Sequence, residues 1–247
     1  MTGSEMNGRE AEPAMSDTVQ RAPDPELIEA APKRLFSSVL GDVMDDLGLR
    51  GQFLPPRIRP LNDDMVLFGR AMPVLEADIG PEDESSEGGG RIDRPFGLMF
   101  EALDSLQPGE VYVATGASPS YALWGGLMSN RAIALGAAGA VLDGFSRDTR
   151  EIRQLGFATF SYGGYGQDQK PRGRVVAYRT TVTIGEVTVE PGDLVFGDLD
   201  GVCVVPLAAA DEVLRAALEK VDTESLVRRH ILAGNSSADA FDRFGAM

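Results

Sequence analysis

The sequence predicts a single mixed α/β domain, and three observations carry that prediction. Between residues 125 and 160 helical and strand patterns alternate, a β-α-β rhythm that favours parallel strands with helices packed against them. Downstream, VTIGEVTVEPGDLVFGDLDGVCVVP alternates at period two around the turns Gly185-Glu186 and Pro191-Gly192, which reads as an antiparallel unit. The chain has 247 residues, 43% of them hydrophobic, enough for one large domain or two small ones, and no internal repeat divides it.

Residues 1–23 carry Gly, Ser, Glu, Pro and Asp with little to bury and read as a disordered tail or leader, leaving 24–247 as the domain. Order is expected from Asp24-Pro25-Glu26, an acidic cap followed by proline in the first helical turn. From Pro32, LFSSVLGDVMDDLG sets Leu35, Val39, Leu40 and Met44 at helical spacing and stops at Gly48. Residues 65–78 read as two strands, MVLFG and AMPVLEAD. Residues 78–94 form an acidic, Gly-rich insertion, expected to be a mobile, solvated excursion. FGLMFEALDSL then reads as a helix and EVYVATG as a buried strand. GGLMSNRAIALG is helical in pattern, GAVLDG a short apolar strand, 148–155 a second helix and FATFSYG a second strand. A helix over about 208–233, with Leu214, Leu218 and Val221 on one face, closes the domain.

Composition excludes several functions. Acids outnumber bases 38 to 23, a net charge of −15, and no basic run with interleaved aromatics appears, which argues against nucleic-acid binding. The same acidity argues against anionic membranes, and no apolar run approaches the ~20 residues that span a bilayer. The one cysteine, Cys203, excludes an internal disulfide, a cysteine-rich zinc site and a Cys-X-X-Cys pair. With no signal pattern, a reduced cytoplasm is the expected location. The lone His230 reads as a surface or packing residue, and Cys203, inside Val202-Cys203-Val204-Val205, as an inert core thiol. Gly163-Gly164-Tyr165-Gly166 follows a strand, but Gln-Asp-Gln-Lys-Pro intervenes where a dinucleotide fingerprint needs a helix.

Two features carry chemistry. Arg147-Asp148 follows strand GAVLDG and a Phe-Ser step, at the carboxyl end of a strand in the β-α-β unit, where open α/β sheets place ligands. Their bland alternatives are a surface ion pair for Arg147 and a helix N-cap for Asp148. Trp124-Gly125-Gly126-Leu127-Met128-Ser129 sets two glycines before a helix, exposing backbone N–H groups and the positive end of its dipole to an anion. Otherwise these glycines serve a tight turn. Together they suit a small anionic substrate, with Arg to neutralise charge and Asp to hold a metal.

The segments WGGLMSNRAIALGAAGAVLDGFSRDTREI, GFATFSYG and VTIGEVTVEPGDLVFGDLDGVCVVP resemble the RraA-like family across roughly residues 32–245. That family includes 4-hydroxy-4-methyl-2-oxoglutarate (and 4-carboxy-4-hydroxy-2-oxoadipate) aldolases and oxaloacetate decarboxylases, and members are often mislabelled as demethylmenaquinone methyltransferases. The resemblance implies a swivelling β/β/α domain with a mixed sheet, in homotrimers or homohexamers whose active sites lie between subunits. It implies a metal-dependent lyase acting on a small 2-oxo acid through a pyruvate enolate, with Mg²⁺, or Mn²⁺, as cofactor. Arg147 and Asp148 match the end of the aldolase signature, Asp148 as metal ligand and Arg147 as the group that stabilises the enolate. Leu127 and Met128 match the positions whose amides bind the pyruvate carboxylate. Glu224 matches an acid supplied by the neighbouring subunit to orient the water that takes the substrate's hydroxyl proton. Gly126 departs from the signature, standing twenty-one residues before Arg147 where the aldolases carry Asp or Glu. The alternative is a non-catalytic regulator that binds a ribonuclease or helicase, like the family's founding inhibitor of RNase E.

Overall fold

Residues 23–80 and 96–245 are described in a computed structural model of the chain. The expected tail, apart from Pro23, and the acidic insertion beyond Gly80 lie outside the described residues.

The Asp24 side chain accepts from the Glu26 N–H at 3.0 Å and starts α1 (Pro25–Arg34), as the sequence predicts. The helical pattern from Pro32 does not run on. Leu35 and Phe36 are extended, and α2 (Ser37–Asp46) begins where Asp198 takes both the Ser37 N–H and its hydroxyl at 2.7 Å. A distant carboxylate thus resets the helix, a signal that local periodicity does not contain.

The strands and helices that follow are β1 (Arg59–Pro60), β2 (Leu67–Asp78), α3 (Met99–Asp104), β3 (Glu110–Thr115), β4 (Ala122–Trp124) and α4 (Gly126–Ala134). Then come β5 (Gly139–Leu142), β6 (Phe145–Ser146), α5 (Thr149–Leu155), β7 (Thr159–Ser161) and β8 (Gly173–Tyr178). The chain continues through β9 (Val182–Ile184), β10 (Val187–Val189), β11 (Leu194–Asp198), β12 (Gly201–Val205), α6 (Ala210–Leu232) and α7 (Ser237–Phe244). The main sheet is mixed, in the order β1-β7-β5-β3-β2-β11-β12, with β8 also on β2. Its β2/β3, β3/β5 and β5/β7 pairs are parallel, the product of the β-α-β rhythm. The expected antiparallel unit is divided. The strands β9 and β10 form the hairpin at Gly185-Glu186 as a two-stranded sheet of their own, and β11 and β12 pair antiparallel in the main sheet. Pro191-Gly192 links β10 to β11 in different sheets instead of turning a hairpin.

The two strands expected over 65–78 are one twelve-residue strand. It serves β11 from Leu67 to Arg70 and β8 from Val74 to Asp78, with an irregularity between Leu75 and Glu76. The sheet nearly closes. Residues 52–54 lie along β12, Val204 donating to the Gln52 carbonyl at 3.0 Å and Leu54 to the Val202 carbonyl at 2.9 Å, which covers an edge otherwise open to pairing. One core fills the space between the parallel strands and α4–α5, and a second joins α1, α2 and α6 to β11–β12.

Cys203 is fully buried in that second core and burial pushes its thiol up, so it is inert. His230 packs α6 on α7, bonding to Asp239 and lying edge-on to Phe244 at 5.4 Å. The polar stretch that forms α7 was not foreseen; the Ser236 hydroxyl caps it by accepting from the Asp239 N–H at 3.2 Å. After β7, the segment with Gly163, Gly164 and Gly166 leads to β8 with no helix between, so no dinucleotide fingerprint exists there.

Candidate functional site

The step before Arg147 is not simply the end of β5. It is β6, which pairs in parallel with β4 as a separate two-stranded sheet. Gly125-Gly126 and Arg147-Asp148 therefore leave the carboxyl ends of adjacent parallel strands, and the Arg147 N–H to Trp124 carbonyl bond at 2.8 Å ties them together. Trp124 anchors this corner from beneath. Its ring lies 4.9 Å from Tyr112 and 5.9 Å from Phe157, and its N–H donates to the Ser129 hydroxyl at 2.7 Å. That hydroxyl donates in turn to the Gly125 carbonyl at 3.1 Å.

Asp148 does not cap its own helix. It takes the left-handed conformation at φ 57° and ψ 31°, with no side-chain bond to α5. Its carboxylate turns across to α4 and accepts from the Gly126 N–H at 3.1 Å. A carboxylate gains there from the positive end of the α4 dipole. Arg147 pairs with Asp168 at 3.1 Å, with the Asp148 carboxylate 3.9 Å from its Nε. The pair is not on a featureless surface. Arg147, Asp148, Asp168, Leu127 and Met128 all line one cavity of about 390 Å³. Leu127 and Met128 stand in the first turn of α4, where the N–H groups have no preceding turn to bond to. Glycine at 125 matters in this corner. A Cβ there would stand 2.9 Å from Asp148 Oδ2 and 3.3 Å from Arg147 Cγ.

Gly126 has a different neighbour. A Cβ built on it would lie 2.2 Å from Oε2 and 2.5 Å from Cδ of Glu151, so the Glu151 carboxylate occupies the place of a side chain at 126. Asn130 holds it there, donating to Glu151 Oε1 and to the Gly126 carbonyl, both at 2.9 Å. Reading the sequence missed Glu151. The signal available was an acid in the first turn of the helix that follows Arg147-Asp148.

Gln169 lines the cavity beside Asp168 and donates to Glu76 Oε2 at 2.5 Å. Glu76 is buried on β2, and burial raises its carboxyl from the usual 4.5 to about 8, so it is largely a neutral acid at pH 7. Glu224 stands elsewhere. It lines a separate groove with Phe36, Ser38, Val227 and Leu232, and one chain does not bring it to Arg147 and Asp148.

Among the described residues no three His, Cys, Asp or Glu side chains gather in a way that holds a metal ion. The donor set therefore fits only an ion that keeps most of its waters. Mg²⁺ does so, binding through one or two carboxylates, and Asp148 offers a half-exposed carboxylate of the kind such an ion takes. No helix among the described residues is long and apolar enough to cross a membrane.

The family model described as RraA-like, Aldolase/RraA, matches residues 37–204. The chain belongs to the RraA-like family. A protein of Halalkalibacterium halodurans named "Putative 4-hydroxy-4-methyl-2-oxoglutarate aldolase" is 29% identical over 185 residues, 74% of this chain and 79% of that protein. Protein DlpA of Legionella pneumophila is 25% identical over 205 residues, 83% of this chain, but the match spans only 31% of DlpA's own length. Among solved structures, Streptomyces coelicolor RraAS2, described as an unusual member of the RNase ES inhibitor RraA protein family, superposes with a TM-score of 0.72. It is 25% identical, over 84% of this chain and 98% of its own. The mixed α/β fold with its nearly closed sheet is thus a family property.

Proposed function

We propose that the chain is a cytoplasmic lyase that cleaves a 4-hydroxy-2-oxo acid, or decarboxylates oxaloacetate, through a pyruvate enolate. The observation that carries this reading is the convergence of Arg147, Asp148 and the first turn of α4 on one cavity. The substrate carboxylate sits at the amides of Leu127 and Met128, where helix N-termini bind anions. Its 2-oxo oxygen faces the Arg147 guanidinium. In the retro-aldol reaction the 4-hydroxyl gives its proton to a water, which returns a proton to C3 in the last step; the C3–C4 bond breaks and its electron pair moves into the enolate, which Arg147 stabilises as the charge develops. Protonation at C3 then releases pyruvate. Decarboxylation breaks the corresponding bond of oxaloacetate and reaches the same enolate with loss of carbon dioxide, so one site serves both.

Asp148 would hold a divalent ion, Mg²⁺ or Mn²⁺, which supplies Lewis acidity toward the 2-oxo and carboxylate oxygens. Glu151 supports this reading over a degenerate site, because its carboxylate occupies the place of a side chain at 126 despite the glycine there. Glu224 belongs to the same reading only through assembly, as the acid that a neighbouring protomer of a trimer or hexamer brings to the site. The second reading, a regulator that binds a ribonuclease or helicase, draws on the description of RraAS2 and needs neither a cation nor Arg147.

Pyruvate release from oxaloacetate and from 4-hydroxy-4-methyl-2-oxoglutarate, with Mg²⁺ and with EDTA, decides between the two. Release that depends on the cation supports the lyase. Absence of release from both, with no Mn²⁺ binding by calorimetry, supports the regulator.

A further inference from the structure

Glu76 is an unusual residue for the place it holds. It lies on β2, on the same face as Met72 and Val74, and is 2% exposed. Its Oε2 accepts from Gln169 Nε2 at 2.5 Å, while its Oε1 has no hydrogen-bond partner among the described residues. Leucine would fill the same place without leaving a polar atom unpaired in the core. Where a chain keeps a half-satisfied acid instead, the departure from good packing points to function.

The hydrogen bond of Glu76 leads toward the chemistry. Gln169 is 3% exposed and follows Asp168 in the segment between β7 and β8, which contains no helix or strand. Backbone bonds from Ala122 and Gly173 hold the Gln167 and Gln169 carbonyls at 2.9 and 2.8 Å, so the course of the segment has support besides Glu76. What the Glu76 bond fixes is the direction of the Gln169 side chain, and with it that of Asp168 next to it. Asp168 pairs with Arg147 Nη1 at 3.1 Å, while Asp148 stands 3.9 Å from Arg147 Nε. Two carboxylates at two nitrogens set the plane of the guanidinium and leave its other N–H groups for a substrate oxygen. Glu76, Gln169, Asp168 and Arg147 all belong to one protomer, so this series of contacts is complete before subunits meet.

We propose that Glu76 is a positioning residue, acting through Gln169 and Asp168 to hold the Arg147 guanidinium where the enolate oxygen forms. This rests on the reading of the Arg147–Asp148 corner as the enolate site and goes beyond it in assigning a residue from the core. Glu76 is buried and stands outside the cavity lining, so it touches no substrate.

The test combines pyruvate release from oxaloacetate in Mg²⁺ with calorimetric binding of oxalate, whose planar O–C–C–O array copies the enolate and which cannot react. Glu76→Leu is expected to lower kcat at least about tenfold, because small misplacements of a catalytic group cost that much, and to leave KM within about threefold. Oxalate should bind at least about tenfold more weakly. Glu76→Gln, which can accept the same bond from Gln169, should recover most of both losses. In an Arg147→Ala background Glu76→Leu should change neither quantity further, because its effect passes through Arg147. A residue that serves only stability would lower Tm and leave kcat within about a factor of two, which overturns the proposal. So do losses that Glu76→Gln fails to recover, or that multiply with those of Arg147→Ala. Should Glu76→Leu not fold, Gln169→Met breaks the same bond from the cavity side, with the same expected losses in kcat and oxalate affinity. Without pyruvate release from the unaltered chain, a loss of oxalate affinity in Glu76→Leu keeps the positioning role and removes the lyase. If oxalate does not bind either, the proposal falls with the enolate site.

Discussion

Asp148, Glu151 and Glu76 are three carboxyl groups in three environments, and each gives a separate prediction. Asp148 is half-exposed and bonded to the Gly126 amide, available to a cation. Glu151 stands where a side chain at 126 would be, held by Asn130. Glu151→Ala is expected to weaken Mn²⁺ affinity or kcat by about 10–100-fold, the usual loss when a supporting group of a metal site is removed. The double variant Gly126→Asp with Glu151→Ala should recover much of it, because the vacated space accepts the new side chain. Unchanged affinity and rate in Glu151→Ala would remove Glu151 from the site. Glu76 gives a pH effect. Its folded carboxyl titrates at about 8, above the usual 4.5, so its contribution to stability is complete below pH 4.5 and is lost as pH rises to 8. Glu76→Gln, which keeps the shape of the neutral acid, should flatten that loss. At pH 8.5 the variant should melt roughly 3–6 °C above the unaltered chain, and at pH 4.5 close to it. An equal pH dependence in both chains would contradict a neutral Glu76. Of these groups only Asp148 was legible in the sequence. Glu76 lies in an ordinary strand pattern, and its burial follows from how β8 and the 163–172 segment fold over β2.

At the scale of elements, the alternating patterns were legible because their helices and strands bury contiguous faces. The β-α-β run from 125 to 160 and the hairpin at Gly185-Glu186 both lie where periodicity places them. The misses share one cause, a distant partner that overrides local pattern. Asp198 restarts the helix at Ser37, and β8 and β11 turn two expected strands into one. The two-residue β6, which positions Arg147 and Asp148, is too short to leave a periodic signal. Close packing between elements can be tested at Gly139, where a Cβ would lie 2.4 Å from the Ala158 carbonyl oxygen and 2.3 Å from Leu67 Cδ1. Both neighbours are in the parallel core and one is backbone, so Gly139→Ala should cost ~1–3 kcal/mol, a fall of several degrees in Tm. A Tm within one degree of the unaltered chain would show that β5 and its neighbours have more room than this packing allows.

For the whole molecule, the separation of Glu224 from Arg147 within one chain makes assembly part of the proposed chemistry. If a neighbour supplies Glu224, mixing inactive Arg147→Ala and Glu224→Ala proteins under conditions of subunit exchange should restore partial activity. Mixtures as inactive as their components would show that Glu224 acts within its own chain or not at all. The resemblance to a family was legible in the sequence because its motifs are contiguous. The cavity was not, since Met99, Phe100 and Leu103 come from α3, Arg147 and Asp148 follow β6 and Asp168 follows β7, parts of the chain joined only by the fold. The central claim is that the corner built on Arg147 and Asp148 stabilises an enolate. The most direct measurement is pyruvate release from oxaloacetate by Arg147→Ala, in Mg²⁺, with the circular dichroism spectrum confirming the fold. A loss of about 100-fold or more in kcat relative to the unaltered chain is the predicted result, because a positioned donor to a developing oxyanion is worth that much. A kcat within a factor of two would contradict the account and place the chemistry elsewhere.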